Sequence, residues 1–177
     1  MTKLTAELTD AVKKIRLILL DVDGVLTDGR LGMTAAAEEI KFFSVYDGLA
    51  IRLVQKAGLE VGFLSGRSSQ EVELRARELG VEIVVQGSRD KIKDLEKILS
   101  ELHLEASQVA YMGDDLPDLS VLKRVGFSAA PANAAEAVRE SVDYVTQRKG
   151  GEGAVREVVD LLLKATGKWD EILSPFS

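Results

Sequence analysis

Asp21 and Asp23 follow the apolar run Leu17-Ile18-Leu19-Leu20 and precede Gly24, with only Val22 between them. A short Ile/Leu run bounded by turn residues reads as a buried strand. Side chains alternate along an extended chain, so both carboxylates leave the strand end on one side and Val22 on the other. Carboxylates at the mouth of a buried strand are costly unless something positive joins them. A second acidic pair, Asp114 and Asp115, follows the run Gln108–Met112 and Gly113. Brought together, these acids cannot all stay ionised without a cation. The chain has no cysteine and one histidine, His103, so the ligands on offer are oxygens, which suits Mg²⁺. In such a site Asp21 can be a nucleophile that forms an aspartyl-phosphate. Asp23, on the same side, can protonate the leaving oxygen and later activate water.

Two further positions fit phosphate chemistry. Ser65-Gly66-Arg67 closes the apolar run Val61–Leu64. The Ser65 hydroxyl and the backbone N–H groups at the following helix start make an anion site. Lys91 falls in the first turn of a helix, where a cation opposes the helix dipole. Taken alone, Ser65 is an ordinary loop serine and Lys91 a solvated lysine near Asp90 and Asp94. Beside three strand ends that carry acids or hydroxyls, Lys91 reads as a point-charge phosphate binder.

The elements that must position these residues alternate. Strands are expected at Ile15–Leu20, Val61–Leu64, Val81–Val85, Gln108–Met112, Gly126–Ala130 and Val142–Val145. Between them lie a helix after Asp47, which serves as N-cap and ends at Gly58, and one from Ser68 to Leu79, stopped by Gly80. Further helices carry the stripe Ile92, Leu95, Ile98, Leu99 and Leu102, start at Pro117, and span Ala134–Glu140 and Ala154–Ala165. Asp118, in the first turn after Pro117, reads as a complement to the helix dipole. This order predicts an α/β fold, a doubly wound parallel sheet whose ligands bind beyond the carboxyl ends of the strands. One domain fits 177 residues, with a β-hairpin insertion at about 30–43 after the first strand and a tail from about 167 to 177.

Composition narrows the function. A net charge of −6 argues against nucleic acid or an anionic membrane as partner. Without cysteine there is no disulfide framework and no thiolate nucleophile. The N-terminal residues lack a signal-peptide apolar region and no apolar run approaches a membrane span, so a cytoplasmic protein is expected.

Asp21-Val22-Asp23-Gly24-Val25-Leu26-Thr27-Asp28-Gly29, Ser65-Gly66-Arg67, Lys91 and Gly113-Asp114-Asp115-Leu116-Pro117-Asp118, in this order, resemble the four motifs of the haloacid dehalogenase-type phosphatases. Phe43-Ser44-Val45-Tyr46-Asp47-Gly48 and Gly150-Gly151-Glu152-Gly153-Ala154-Val155-Arg156-Glu157 resemble segments of the subgroup that acts on 3-deoxy-D-manno-octulosonate 8-phosphate (KDO 8-phosphate). The resemblance implies a Rossmann-like fold and a Mg²⁺-dependent phosphomonoesterase serving lipopolysaccharide precursor synthesis. It implies Asp21 as nucleophile and Mg²⁺ ligand, and Asp23 as acid/base that lends its backbone carbonyl to the metal. Ser65 and Lys91 hold the phosphoryl group, Asp114 binds Mg²⁺, and Asp115 is a carboxylate behind it or an additional one at the site. Gly24, Gly66, Arg67 and Asp47 face the substrate, Arg67 at its sugar-acid end. One departure stands out: the family segment GGRGA has Glu152 in place of its arginine.

The segments from Asp28 to Asp47 and from Ser68 to Arg89 are too short for a cap domain, so the site is expected to be capless. A two-stranded hairpin alone is marginal in water. The hairpin, ending in Phe42-Phe43, is therefore expected to pack on neighbouring subunits. The resemblance implies a homotetramer in which one chain helps close the next chain's site. The tail, with Trp169 and Phe176, is a second candidate for reaching a neighbour. Two other readings remain at this point. One is a phosphatase for a nine-carbon sugar-acid phosphate or another small ester. The other is a receiver-like signalling domain that holds its acyl-phosphate without turning it over.

Overall fold

The computed structural model describes residues 5–176, with the side chain of Phe176 outside the description, so the expectation placed on that ring lies outside the described residues. A lead-in helix, α1 (Ala6–Val12), precedes strand β1 (Leu17–Leu20). The hairpin follows as β2 (Gly32–Met33) and β3 (Glu39–Ile40). Then come α2 (Val45–Lys56), β4 (Glu60–Leu64), α3 (Gln70–Leu79), β5 (Ile83–Val85), α4 (Lys91–Leu102) and β6 (Val109–Met112). A 3₁₀ turn, Leu116–Asp118, leads into α5 (Leu119–Leu122), followed by β7 (Phe127–Ala130), α6 (Glu136–Arg139), β8 (Tyr144–Val145), α7 (Ala154–Ala165) and α8 (Trp169–Leu173).

Six strands form one parallel sheet in the order β5-β4-β1-β6-β7-β8. The chain winds outward from β1 in one direction, then returns to β1's other side and winds outward again. That reversal opens a crevice at the carboxyl end of β1, where ligands bind in such sheets. Leu20 is level with Phe63 of β4 and Met112 of β6, so Asp21, Ser65 and Gly113-Asp114 emerge side by side.

All four residues of β1 are at most 2% exposed, which explains a strand without polar alternation. Ile18 and Leu20 enter the layer formed by α2, α3 and α7, while Leu17 and Leu19 enter the layer formed by α4, α5 and α6. Each side chain so buried contributes about 1.5–3 kcal/mol. The same alternation carries past the strand end. Val22 joins the first layer, and Asp21 faces the second, where α4 begins with Lys91.

Several boundaries move. Ser44, not Asp47, caps α2, its Oγ accepting from the Tyr46 and Asp47 N–H groups. Ser69 caps α3 in place of Ser68, and Gly80 ends it in the left-handed region as expected. The hairpin is shorter than its sequence, two residues per strand, tied by Gly32↔Ile40 and Met33↔Glu39. Its two phenylalanines part ways: Phe42 is 78% exposed, whereas Phe43 packs on its own core with the Arg75 guanidinium 5.6 Å from its ring. Trp169 also turns inward, against the core and beneath Lys164, so it does not reach outward as the tail's composition suggested.

Candidate active site

The carboxyl ends of β1, β4 and β6 surround a cavity of about 280 Å³. Asp21, Asp23, Ser65, Gly66, Arg67, Lys91, Asp114 and Asp115 line it, together with Gly29, Pro117 and Asp118. Of the residues expected to meet substrate, Asp47 does not belong to this wall. Its carboxylate is 1% exposed and accepts from Gly153 N at 3.2 Å and Arg156 N at 2.8 Å. Asp47 is thus a cap for α7, made by a residue more than 100 positions away, and the expected substrate contact is corrected accordingly. It holds the loop in which Gly150 lies against the Gly24 carbonyl and Gly151 N donates to Val25 O at 3.0 Å.

Gly24 itself has φ +89°. A Cβ there would run into the Asp114 carboxylate, so glycine meets both a backbone and a space requirement. This close approach lets Asp114 lie over the turn that follows Asp21.

Lys91 is 7% exposed, and neither of its sequence neighbours holds it. Asp90 caps Lys93 N, and Asp94 accepts from the Ser88 hydroxyl. Lys91 Nζ instead lies 3.2 Å from Asp21 Oδ1, 2.6 Å from Asp118 Oδ1 and 3.2 Å from the Tyr111 hydroxyl. Burial alone lowers a lysine's pKa, but Asp21 and Asp118 more than offset it and hold Lys91 above its ordinary value.

Asp118, expected to complement the helix dipole, is instead the brace of the site. Its Oδ1 accepts from Lys91 and from the Tyr111 hydroxyl at 2.6 Å, and its Oδ2 accepts from Asp114 N at 3.0 Å and Asp115 N at 3.2 Å. Asp115 is exposed and caps the 3₁₀ turn through Leu116 N, 2.8 Å away. The carboxylate bonded behind Asp114 is that of Asp118, while Asp115 lines the cavity as an additional carboxylate. The signal in the sequence is the Asp115-x-x-Asp118 spacing of a capping box, in which the side chain three residues on reaches back to the N–H of the cap.

Asp21, Asp114 and Asp118 bring ligand oxygens within 4.8 Å of one another. Burial pushes Asp21 up to about 6, against the pull of Lys91, and Asp118 adds to the rise. Burial pushes Asp114 up to about 7, with Asp21 and Asp118 as the leading neighbours. The cluster is thus short of positive charge. Asp21 Oδ1 is buried and accepts no hydrogen bond. These all-oxygen donors fit a hard divalent cation. Asp118 has both oxygens committed to four donors, which leaves Asp21 and Asp114 as the carboxylates free to hold it. The Asp23 carboxylate stands outside this cluster. It contacts Lys41 Nζ and lies 3.5 Å from Arg67 Nε.

Ser65 is 2% exposed, and its Oγ accepts from Arg67 N at 3.3 Å. Its own O–H stays available to a ligand oxygen in the cavity. Arg67 Nη2 is drawn to Glu39 Oε1 at 3.3 Å, so the hairpin and the loop after β4 meet over the cavity. Glu152 is not among the residues lining this cavity.

Comparison with known proteins agrees with this geometry. The family model described as haloacid dehalogenase-like hydrolase matches residues 81–158. The 3-deoxy-D-manno-octulosonate 8-phosphate phosphatase KdsC of Escherichia coli K12 is 44% identical over 167 residues, covering 94% of this chain and 89% of the relative. A crystal structure of a probable YrbI family phosphatase from Pseudomonas syringae superposes with a TM-score of 0.95 at 46% identity, covering 97% of this chain and 98% of that one. The 3-deoxy-D-manno-octulosonate 8-phosphate phosphatase of Moraxella catarrhalis, in complex with magnesium, phosphate and KDO, gives 0.94 at 40% identity, with the same coverage of 97% and 98%. The chain belongs to the haloacid dehalogenase-like hydrolases, in the family of the 3-deoxy-D-manno-octulosonate 8-phosphate phosphatases.

Proposed function

We propose that this protein is a Mg²⁺-dependent phosphomonoesterase that hydrolyses KDO 8-phosphate to KDO and phosphate, in lipopolysaccharide precursor synthesis. The observation that carries the reading is the buried Asp21 carboxylate at the crevice, 3.2 Å from Lys91 Nζ and beside Asp114. An Asp21 oxygen attacks phosphorus while the bond from phosphorus to the sugar oxygen breaks, and Asp23 gives its proton to that leaving oxygen. Asp23 then takes a proton from water, whose oxygen attacks phosphorus, breaks the bond to Asp21 and releases phosphate. Lys91 and the Ser65 O–H bind the phosphoryl oxygens, and Lys91 also keeps Asp21 ionised. Asp21, Asp114 and the Asp23 backbone carbonyl hold Mg²⁺, which when bound supplies positive charge against the carboxylates and the phosphoryl group. Gly24 and Gly66 let the backbone approach the phosphate, and Arg67 faces the sugar acid. The relative solved with magnesium, phosphate and KDO supports the same substrate and metal here.

The working form in this reading is a homotetramer in which the hairpin closes a neighbour's site. Leu31, Met33 and Phe42 of the hairpin and Val45 and Tyr46 of α2 are each more than half exposed, an apolar patch that a second copy would cover. No helix among the described residues is long and apolar enough to cross a membrane, and a cytoplasmic enzyme is the reading adopted.

The test is a phosphate-release screen over sugar-acid phosphates with Mg²⁺ present. KDO 8-phosphate should give the highest kcat/KM. A higher value for a nine-carbon sugar-acid phosphate would shift the substrate, and no release from any member would favour a phospho-accepting signalling domain.

A further inference from the structure

The hairpin reaches the crevice through one side chain. Lys41, next after β3, places its Nζ against Asp23 Oδ1 and 2.9 Å from Glu39 Oε1. Its side chain is 1% exposed, although lysine ammonium groups ordinarily stay in water. Arg67 Nε approaches the other oxygen of Asp23 at 3.5 Å, without a hydrogen bond. Of the two Asp23 oxygens, Oδ1 therefore has the hydrogen-bond donor, and that donor is Lys41. Asp21 has a different cation, Lys91 from α4. The two acids of the pair are held by separate elements, one belonging to the sheet core and one to the insertion.

We propose that Lys41 is a positioning residue for the reaction, fixing the rotation of the Asp23 carboxylate at the wall of the crevice. The hairpin then contributes to the acid–base apparatus as well as to closure. This inference rests on the reading of Asp23 as the acid/base group. Glu39 belongs to the hairpin itself, so Asp23 is the one carboxylate partner of Lys41 that lies outside it. The Asp23 contact brings the two-residue strands into register with the catalytic turn.

The experiment compares two substrates within each variant. The sugar oxygen of KDO 8-phosphate leaves poorly without a proton, whereas the nitrophenolate of p-nitrophenyl phosphate leaves readily without one. Lys41→Met should lower kcat/KM, which ends at loss of the leaving group and so leaves out the water attack common to both substrates, by about 10-fold to 100-fold for KDO 8-phosphate, part of the range general acid–base catalysis supplies, and by no more than about threefold for p-nitrophenyl phosphate. Lys41→Arg should restore most of the loss. The ratio is taken within one variant, so a lowered folded fraction cancels. Lys41→Ala, which likewise removes the donor to Asp23, gives the same comparison if the methionine variant does not fold. Equal losses on both substrates, or an unchanged rate on KDO 8-phosphate, would overturn the proposal. Asp23→Asn serves as the reference and should show the same substrate dependence in a larger form. If Asp23→Asn slows both substrates equally, the acid–base reading itself has failed, which is a separate result.

Discussion

Asp118 Oδ1 lies 2.6 Å from Lys91 Nζ, closer than the 3.2 Å that separates the lysine from Asp21 Oδ1. Lys91 is thus shared between a structural brace and the proposed nucleophile, and the brace has the shorter contact. Lys91 keeps Asp21 when Asp118 is removed, but the Tyr111 hydroxyl and the Asp114 and Asp115 N–H groups lose their acceptor. Asp118→Ala should therefore cost about 1–3 kcal/mol per stranded buried donor in urea unfolding and lower kcat as well. A stability change below about 1 kcal/mol, the scale of an exposed pair, would show that Asp118 is not a brace.

Asp47 gives a prediction in the opposite sense. Removing its carboxylate strands the Gly153 and Arg156 N–H groups, so Asp47→Ala should cost about 1–3 kcal/mol of stability per unsatisfied buried group. KM for KDO 8-phosphate should stay near the wild-type value, because Asp47 does not line the crevice. A raised KM with stability unchanged would return Asp47 to the substrate.

The acids were legible in the sequence and their partners were not. An apolar run that stops at Asp21-Val22-Asp23 carries its own parity. The strands around it came out within two residues at their ends, because buried parallel strands read as short, nearly continuous apolar runs between turn residues. Gly80 and Pro117 fixed helix boundaries through local chemistry. The pairs Lys91–Asp118, Lys41–Asp23 and Asp47–Arg156 span 27, 18 and 109 residues, and no local pattern fixes such meetings. Ser44 and Asp47 are both competent caps by type, and only the path of α7 shows which helix each one serves.

The carboxylate cluster predicts a pH dependence. Asp21 is pushed up to about 6 and Asp114 up to about 7. A carboxyl with a higher pKa in the folded than in the unfolded chain binds its proton more tightly when folded. Its contribution to stability is then present below the unfolded value near 4 and lost as pH rises through the folded value. The metal-free protein should lose stability from these two groups between about pH 4 and about pH 7. Mg²⁺ binds the ionised carboxylates, so its stabilisation should grow over the same window. Thermal melts should show a larger Mg²⁺-induced rise in Tm at about pH 8 than at about pH 5. An equal or reversed difference would contradict the assignment of Asp21 and Asp114 to the metal.

The exposed apolar patch predicts assembly. Sedimentation of the wild-type protein should give a tetramer, and Phe42→Glu together with Tyr46→Glu should shift it toward smaller species. Monomeric wild-type protein at working concentrations would remove the proposed closure of one site by a neighbour's hairpin.

Phosphate release from KDO 8-phosphate by the wild-type protein and by Asp21→Asn, each with Mg²⁺ and after chelation, decides whether Asp21 carries the phosphoryl group at a magnesium site. The wild type should release phosphate only with Mg²⁺. Asp21→Asn should fold with a melting temperature close to or above the wild type's and lose about a thousandfold or more of kcat. Substantial turnover by folded Asp21→Asn, or turnover by the wild type that chelation does not touch, would contradict an aspartyl-phosphate formed on Asp21 at a magnesium site.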